Sequence, residues 1–190
     1  MTSPADHLLQ VVIELLVEGG YEGVSVRRVA TRAGVSIGAV QHHFPTKDAM
    51  LNAAMDRMSQ QFQARMESRV PVDASAEEAL RAVALELIGA GPDARPATVL
   101  WLQRLARGAV DAAMADTHAR DWGEVENLLT QLLRGSRPQR GDAWARAEAA
   151  AMLALVDGLA PAVLLEPTRM PPERAEGILA HHLDRMLGDS

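Results

Sequence analysis

The sequence predicts an all-α protein with two parts, a small three-helix unit that contains a helix-turn-helix and a larger helical bundle. Apolar residues recur at steps of three and four along the chain, which is the period of an amphipathic helix. The alternating pattern of a half-buried strand does not occur. Short stretches rich in Ser, Thr, Gly and Pro separate about nine apolar segments. We therefore expect about nine helices, divided between residues 1–47 and 48–190.

The first unit begins with an apolar stripe that two glycines end. The stripe is Leu8, Leu9, Val12, Ile13 and Leu16, followed by Gly19 and Gly20. Ser25 is a typical N-cap for a second helix over 26–33, and a turn at 34–36 leads to a third helix over 37–43. Thr46 is placed to cap a long fourth helix that ends near residue 69.

Residues 26–40 have the spacing of a helix-turn-helix. Ala30 is small enough for a second helix to cross closely, and Gly34 suits the left-handed conformation of the turn. Apolar residues are expected to fill the wedge between the two helices, and they are Val29, Val35 and Val40. Ser36 is placed to cap the second helix, whose outer face would then enter the major groove of DNA. This pattern predicts a DNA-binding protein.

Five further helices are predicted for the bundle. Ser75 and Glu78 form a capping box that opens a helix to about residue 89. After a turn at Gly91, Pro92 and Asp93, a helix reaches about residue 109 and another covers 112–133. Residues 135–141 are the clearest linker, and the last two helices span 142–165 and 172–187.

Charge and composition narrow the classes of function. The net charge is −6, but residues 25–47 contain four basic side chains and no acidic one, and a local basic face is sufficient to meet phosphates. The chain has no cysteine, which excludes disulfides and thiolate metal sites. The start of the chain lacks the pattern of a signal peptide, and the apolar stretch 149–165 is interrupted by Asp157, Gly158 and Pro161. We expect a cytoplasmic protein without a membrane span.

Neither a metal site nor an active site is predicted. His42 and His43 are neighbours on a helix and point about 100° apart, so both cannot easily reach one ion. The sequence contains no phosphate loop, no nucleophile elbow and no metal-spaced set of His and Glu. We therefore expect no catalytic residues, no metal and no cofactor.

Residues 8–51 resemble the DNA-binding domain of the TetR family of bacterial transcriptional regulators. The resemblance rests on residues 20–26 (GYEGVSV), 29–30 (VA), 34–36 (GVS), 38–40 (GAV) and 42–51 (HHFPTKDAML). Residues 156–159 (VDGL) and 165–167 (LEP) also resemble the penultimate helix of many members, in the branch that includes choline-responsive repressors. The resemblance implies a homodimer on a palindromic operator of double-stranded DNA, with repression relieved when a small molecule binds the C-terminal domain. A ligand-independent or partner-controlled regulator, or an activator, remains the alternative.

Matching the family's pattern position by position assigns DNA contacts to the helix-turn-helix. The candidates are Arg27, Ser36, Ile37, Gly38, Ala39, Gln41, His42, His43, Thr46 and Lys47. Among them, Ser36, His43, Thr46 and Lys47 fall where phosphates run, and Val40 and Phe44 are expected in the core. The family usually has a tyrosine where this chain has Gln41. The Gln41 amide could pair with adenine or with a phosphate, or it could simply be solvated.

The middle helices supply candidates for an effector pocket. These are Met58, Phe62, Met66, Leu85, Trp101, Leu105, Trp122, Val125 and Leu129. Their apolar character predicts a small apolar or amphipathic effector, although each such residue more often belongs to an ordinary core than to a ligand pocket.

The last two helices are the predicted dimer interface, because the first of them is too apolar for a solvent-facing stripe. Its apolar positions are Ala149, Ala150, Met152, Leu153, Val156, Leu159, Ala160 and Val163. Pro161 lies in the same helix and could kink it. Burial of this helix within one subunit is the alternative.

Overall fold

The computed structural model describes residues 3–91 and 94–188, and in that part of the chain it contains helices but no strand. Nine α-helices follow one another: α1 Pro4–Gly23, α2 Val26–Ala33, α3 Ile37–His43, α4 Lys47–Arg69, α5 Ala76–Leu87, α6 Arg95–Gly108, α7 Ala112–Ser136, α8 Gly141–Leu165 and α9 Pro172–Leu187. The predicted linker after α7 contains a short 3-10 helix, Pro138–Arg140. The fold class and the helix order are as predicted. The predicted turn residues Pro92 and Asp93 lie outside the described residues.

The helices form two compact units, residues 1–63 and 64–190. The division falls inside α4, whereas the sequence suggested a boundary between residues 47 and 48. The beginning of α4 belongs to the first unit because its apolar side chains, Met50, Leu51 and Ala54, are buried there. Arg57, further along α4, also lies 3.8 Å from Asp6 of α1.

The two glycines interrupt α1, as predicted. Gly20 takes φ 62° and ψ −166°, which is outside the helical range, so the chain kinks there and a last short helical stretch reaches Gly23. Ser3 caps its start by accepting a hydrogen bond from the backbone N–H of Asp6. The apolar face of α1 is buried, with Val12 and Leu16 fully covered, and α1 packs against α2.

Helix α7 is the centre of the second unit, where α5, α6 and α8 all contact it. It runs without interruption through Gly123 to Ser136. Fully buried side chains from five segments fill the core, and they are Leu80, Ile88, Leu100, Leu129, Leu133, Met152, Leu179 and Leu183. The capping box at Ser75 forms as predicted, with Ser75 N–H donating to Glu78 and Ser75 Oγ accepting from the Glu78 N–H.

Helix α8 has one buried and one open face. Most of the positions predicted for the dimer interface are buried within one subunit, namely Ala149, Met152, Leu153, Val156, Leu159 and Ala160. That expectation was wrong for these residues, because they pack against α7 and α9 of the same chain. The open face consists mainly of small residues, Ala147, Ala150, Ala151, Ala154 and Gly158. It therefore includes Ala150, which was predicted at the interface, and Val163 is half-buried. The helix continues through Pro161.

One segment of the described chain, Pro138–Leu165, is long and apolar enough to cross a membrane by length and composition alone, with a mean hydropathy of 1.7. Only 39% of that segment's apolar window is buried in the monomer. Because the core helix of a soluble protein passes the same test, this finding is weak support for a membrane span.

Candidate DNA-binding surface and effector site

The helix-turn-helix rests on a small buried core. Val29, Ala30, Val40 and Phe44 are all buried, as predicted. Gly34 has φ 70° and ψ 29°, the left-handed conformation expected for the turn. The N–H of the next residue donates to the Ala30 carbonyl at 3.0 Å, which fixes the direction in which the chain leaves α2.

Val35 departs from the prediction, because 39% of its surface is exposed. It lies in the turn between Gly34 and Ser36 rather than in either helix. Its side chain is therefore not held on the face where α2 and α3 meet. The prediction that Val35 fills the wedge was wrong, whereas Val29 and Val40 do occupy the core.

The predicted DNA contacts lie on the open side of α3 and at its ends. Those exposed to solvent are Arg27, Ser36, Ile37, Gly38, Gln41, His42, His43 and Thr46, and Ala39 and Lys47 are half-buried. Ile37 and Gln41 are four residues apart and share one side of α3, as do Gly38 and His42. Thr46 caps α4 by accepting from the Ala49 N–H at 3.0 Å. This arrangement leaves a short, exposed helix face for a partner.

The positive charge near this face is smaller than the sequence count suggests. The Arg32 guanidinium donates to both carboxylate oxygens of Glu18, at 3.1 and 2.8 Å, and Glu14 lies 3.8 Å away. The hydrogen bonds from Arg32 lower the pKa of Glu18 below its ordinary value. Within the described residues, Arg27 and Lys47 form no ion pair. These two side chains therefore keep their charge free for an anionic partner.

The predicted effector residues are distributed over both compact units. Met58 and Phe62 belong to the first compact unit, and the other seven belong to the second. Met66, Val125 and Leu129 are buried in the core. Leu85 is 41% exposed, because α5 turns Leu80, Val83, Ala84 and Leu87 inward and leaves Leu85 on the opposite side. The prediction that Leu85 lines an internal pocket was therefore wrong.

Trp101 and Trp122 are the pair of predicted effector residues that the structure brings together. Their rings stack with centroids 5.6 Å apart and planes 10° apart. The indole N–H of Trp122 donates to Asp157, with 3.0 and 3.3 Å to the two carboxylate oxygens. The His118 ring lies 4.8 Å from the Trp122 ring. Helices α6, α7 and α8 thus contribute to one aromatic and polar cluster.

His118 and Asp157 were missed as site residues. A signal for each was available, since His118 precedes Trp122 by one helical turn and Asp157 interrupts an otherwise apolar segment. What the sequence could not supply was the contact between α7 and α8 that places Asp157 beside the indole.

Burial is the main cause of the shifted pKa values of Asp157 and His118 in this cluster. It raises the pKa of the half-buried Asp157 carboxyl, while the Trp122 hydrogen bond acts in the opposite direction. Burial also lowers the pKa of His118, and the positive charge of Arg104 lowers it further. Arg104 is only 7% exposed and donates to Asp121 at 2.6 Å.

Three buried nitrogen atoms of the cluster have no hydrogen-bond partner among the described residues. They are Nε1 of Trp101, Nε of Arg104 and Nδ1 of His118. Buried polar atoms are usually satisfied, so this concentration marks the cluster as a place where a ligand or water can bind. No group of three or more metal-ligating side chains occurs in the described chain.

Two family models match the chain and between them cover most of it. The model described as "Bacterial regulatory proteins, tetR family" matches residues 8–54. The model described as "BetI-type transcriptional repressor, C-terminal" matches residues 76–188. The first match spans the helix-turn-helix, and the second spans all of α5 to α9.

Individual relatives agree with these matches. The chain is 28% identical to the transcriptional regulator PksA of Bacillus subtilis over 90% of this chain and 83% of that protein. It is 26% identical to the regulator BetI of Burkholderia ambifaria, over 80% of this chain and 77% of that protein.

Solved structures share the fold over nearly the whole length. A transcriptional regulator from Rhodococcus sp. Rha1 is 32% identical, with 97% of this chain and 96% of that chain covered and a TM-score of 0.84. A regulator from Saccharomonospora viridis, crystallised with choline, has a TM-score of 0.86 at 21% identity, with 95% of each chain covered. At 21% identity, the similarity to the Saccharomonospora viridis regulator shows a shared fold and no more.

Proposed function

The chain belongs to the TetR family of bacterial transcriptional regulators, and we propose that it acts as a homodimeric repressor that a small effector releases from a palindromic operator. Binding DNA to regulate transcription is the role of the family. The dimer, the symmetry of the operator and the response to an effector are the parts that we propose.

The observation that carries the proposal is the exposed face of α3 on a rigid support. Arg27 and Gln41 have side chains that can hydrogen-bond base edges, and Gly38 lacks a side chain, so the backbone of α3 can approach the bases closely there. Ser36, His43, Thr46 and Lys47 surround this face and are suited to phosphates. We assign sequence reading to the first set and positioning to the second.

The open face of α8 supports a dimer through the last two helices. Ala147, Ala151, Ala154 and Gly158 have side chains short enough for two helices to approach closely. In a two-fold interface the same surface pairs with itself, so one such face is sufficient. Pairing would also cover the apolar segment Pro138–Leu165, which the monomer leaves largely open.

An effector site in the second unit is supported by the half-buried cluster around Trp122. Stacked indoles with a few polar groups have the composition of a small-molecule site. The fold also accommodates a small molecule in another protein, since the Saccharomonospora viridis regulator was crystallised with choline.

Selection from random duplex DNA tests the proposed function. We expect the purified protein to enrich an inverted repeat, and a gel shift should show one complex that contains two subunits. Addition of metabolite and drug pools to the complex should release the DNA with at least one pool. Enrichment of a single half-site without symmetry would contradict the dimeric operator, and no enrichment at all would contradict sequence-specific binding.

A further inference from the structure

We propose that a cleft between α1 and α4 in the first compact unit binds a small zwitterion, an α-amino acid with an aliphatic side chain. The cleft has a volume of about 410 Å³, within the range of about 300–1,000 Å³ that is typical of small-molecule sites. It is lined by Asp6, His7, Leu9, Gln10, Ile13 and Arg57. None of these residues belongs to the DNA-binding surface or to the effector site proposed above, which lies in the second unit.

Two opposite charges line the cleft and engage each other only weakly. The Asp6 carboxylate and the Arg57 guanidinium are 3.8 Å apart, which is longer than a hydrogen bond, and both side chains are partly exposed. Arg57 forms no hydrogen bond within the part of the chain that the structure describes. Because an exposed ion pair of this length contributes little stability, a ligand can engage both charges at little cost.

Two side chains of α1 can accept hydrogen bonds from an ammonium group. Asp6 accepts from the Ser3 hydroxyl at 3.0 Å, and a carboxylate can accept several more hydrogen bonds. Gln10 donates through its amide nitrogen to Glu14 at 3.3 Å, which leaves its amide oxygen able to accept. Asp6 and Gln10 lie one helical turn apart on the same side of α1. They are therefore placed to share the three donors of one ammonium group.

Charge complementarity favours a zwitterion over a simple ion. A carboxylate alone would be attracted by Arg57 but repelled by Asp6, and an amine alone would meet the reverse situation. A zwitterion places each of its charges beside the opposite one. Leu9 and Ile13 supply apolar surface in the same cleft, which suits an aliphatic side chain.

The test is calorimetric titration of the whole protein with three probes that share one aliphatic group: L-leucine, 4-methylpentanoate and 3-methylbutylamine. We expect saturable binding of L-leucine. The other two probes should bind about tenfold more weakly or worse, because each lacks one of the charged hydrogen-bonding groups.

Substitution of each charge should affect the probes differently. Arg57→Gln should weaken L-leucine binding by about tenfold or more but should not weaken 3-methylbutylamine, which has no carboxylate. Asp6→Asn should weaken L-leucine to a similar extent but should not weaken 4-methylpentanoate, which has no ammonium group. Arg120→Gln is the matched control, because it removes a guanidinium with a similarly long ion pair, 3.7 Å from Asp121 on α7. It should bind L-leucine like the wild type.

Several results would overturn the site. They are no L-leucine binding up to about 10 mM, equal affinity for the three probes, or wild-type affinity for L-leucine in either Arg57→Gln or Asp6→Asn. An equal loss of all three probes in a folded variant would also contradict it, since that result indicates a structural role. Circular dichroism of each variant checks that it is folded. The titrations contain no DNA, so their outcome is independent of the proposed operator and effector response.

Discussion

At the scale of single residues, we propose that some side chains of the DNA-binding surface meet phosphates and others meet bases. Lys47 lies at the first residue of α4 and Gln41 on the open side of α3. Both were assigned from the sequence, and the structure leaves both accessible. Their different chemistry leads to different expected effects on substitution.

Lys47→Ala should weaken binding to operator and random DNA alike, because a phosphate contact carries no sequence information. The plot of log affinity against log salt concentration should become shallower by about 0.9, the contribution of one phosphate. Titrations of both DNAs at several salt concentrations measure this. An unchanged slope would show that Lys47 does not meet a phosphate.

Gln41→Ala should change base preference instead. A glutamine that pairs with adenine contributes about 1–3 kcal/mol of discrimination, which the alanine variant would lose at one position of each half-site. Repeating the selection from random DNA with this variant gives the result directly. If the variant selects the wild-type sequence with wild-type stringency, Gln41 is a solvated residue.

His118 should make stability depend on pH. Burial lowers its pKa in the folded state, so the unfolded chain takes up the proton first as the pH falls. The stability that His118 contributes is complete above its unfolded pKa of about 6.5 and is lost as the pH falls below that value. The surrounding charges are Arg104, Asp121 and Asp157.

His118→Gln isolates this effect. Melting temperatures of the variant and the wild type, measured from pH 8 down to about pH 5, should converge or cross as the wild type loses stability. Parallel curves over that range would show that His118 titrates alike in the folded and unfolded states.

At the scale of the elements, the turn between α2 and α3 depends on backbone conformation rather than on space. A Cβ atom added at Gly34 would meet nothing within 4 Å, yet φ is +70° there. Gly123, inside α7, has equally open surroundings but no positive φ. Because neither position is crowded, a comparison of substitutions at the two glycines isolates the effect of the left-handed backbone conformation at Gly34.

Gly34→Ala should destabilise the protein by about 1 kcal/mol, since an alanine rarely adopts the left-handed conformation. Gly123→Ala should stabilise it by up to about 1 kcal/mol through helix propensity. Urea denaturation of both variants measures the two changes. Destabilisation by both substitutions to the same extent would point to crowding that the static structure does not contain.

At the scale of the whole molecule, the proposed dimer would pair two DNA-binding units through the open face of α8. Ala154→Glu places a charge in the middle of the proposed interface and should give monomers in sedimentation velocity, with much weaker operator binding. Ala119→Glu, on the exposed side of α7, should remain dimeric. A dimeric Ala154→Glu protein would place the interface elsewhere.

The sequence by itself determined the order and type of the helices and the helix-turn-helix. Those features depend on local signals, such as the caps at Ser25 and Ser75, the turn at Gly34 and the period of apolar residues. Such signals act within a few residues and can be read before the chain is folded.

Only the tertiary structure decided which apolar residues are buried and which polar side chains contact one another. It left Leu85 and Val35 exposed to solvent, and it buried within one subunit most of the α8 residues expected at the dimer interface. It also brought Asp157 of α8 to Trp122 of α7, across 35 residues of sequence. The physical reason is that periodicity shows a helix has an apolar face, but the neighbours that cover each side chain are set by the packing of helices distant in sequence.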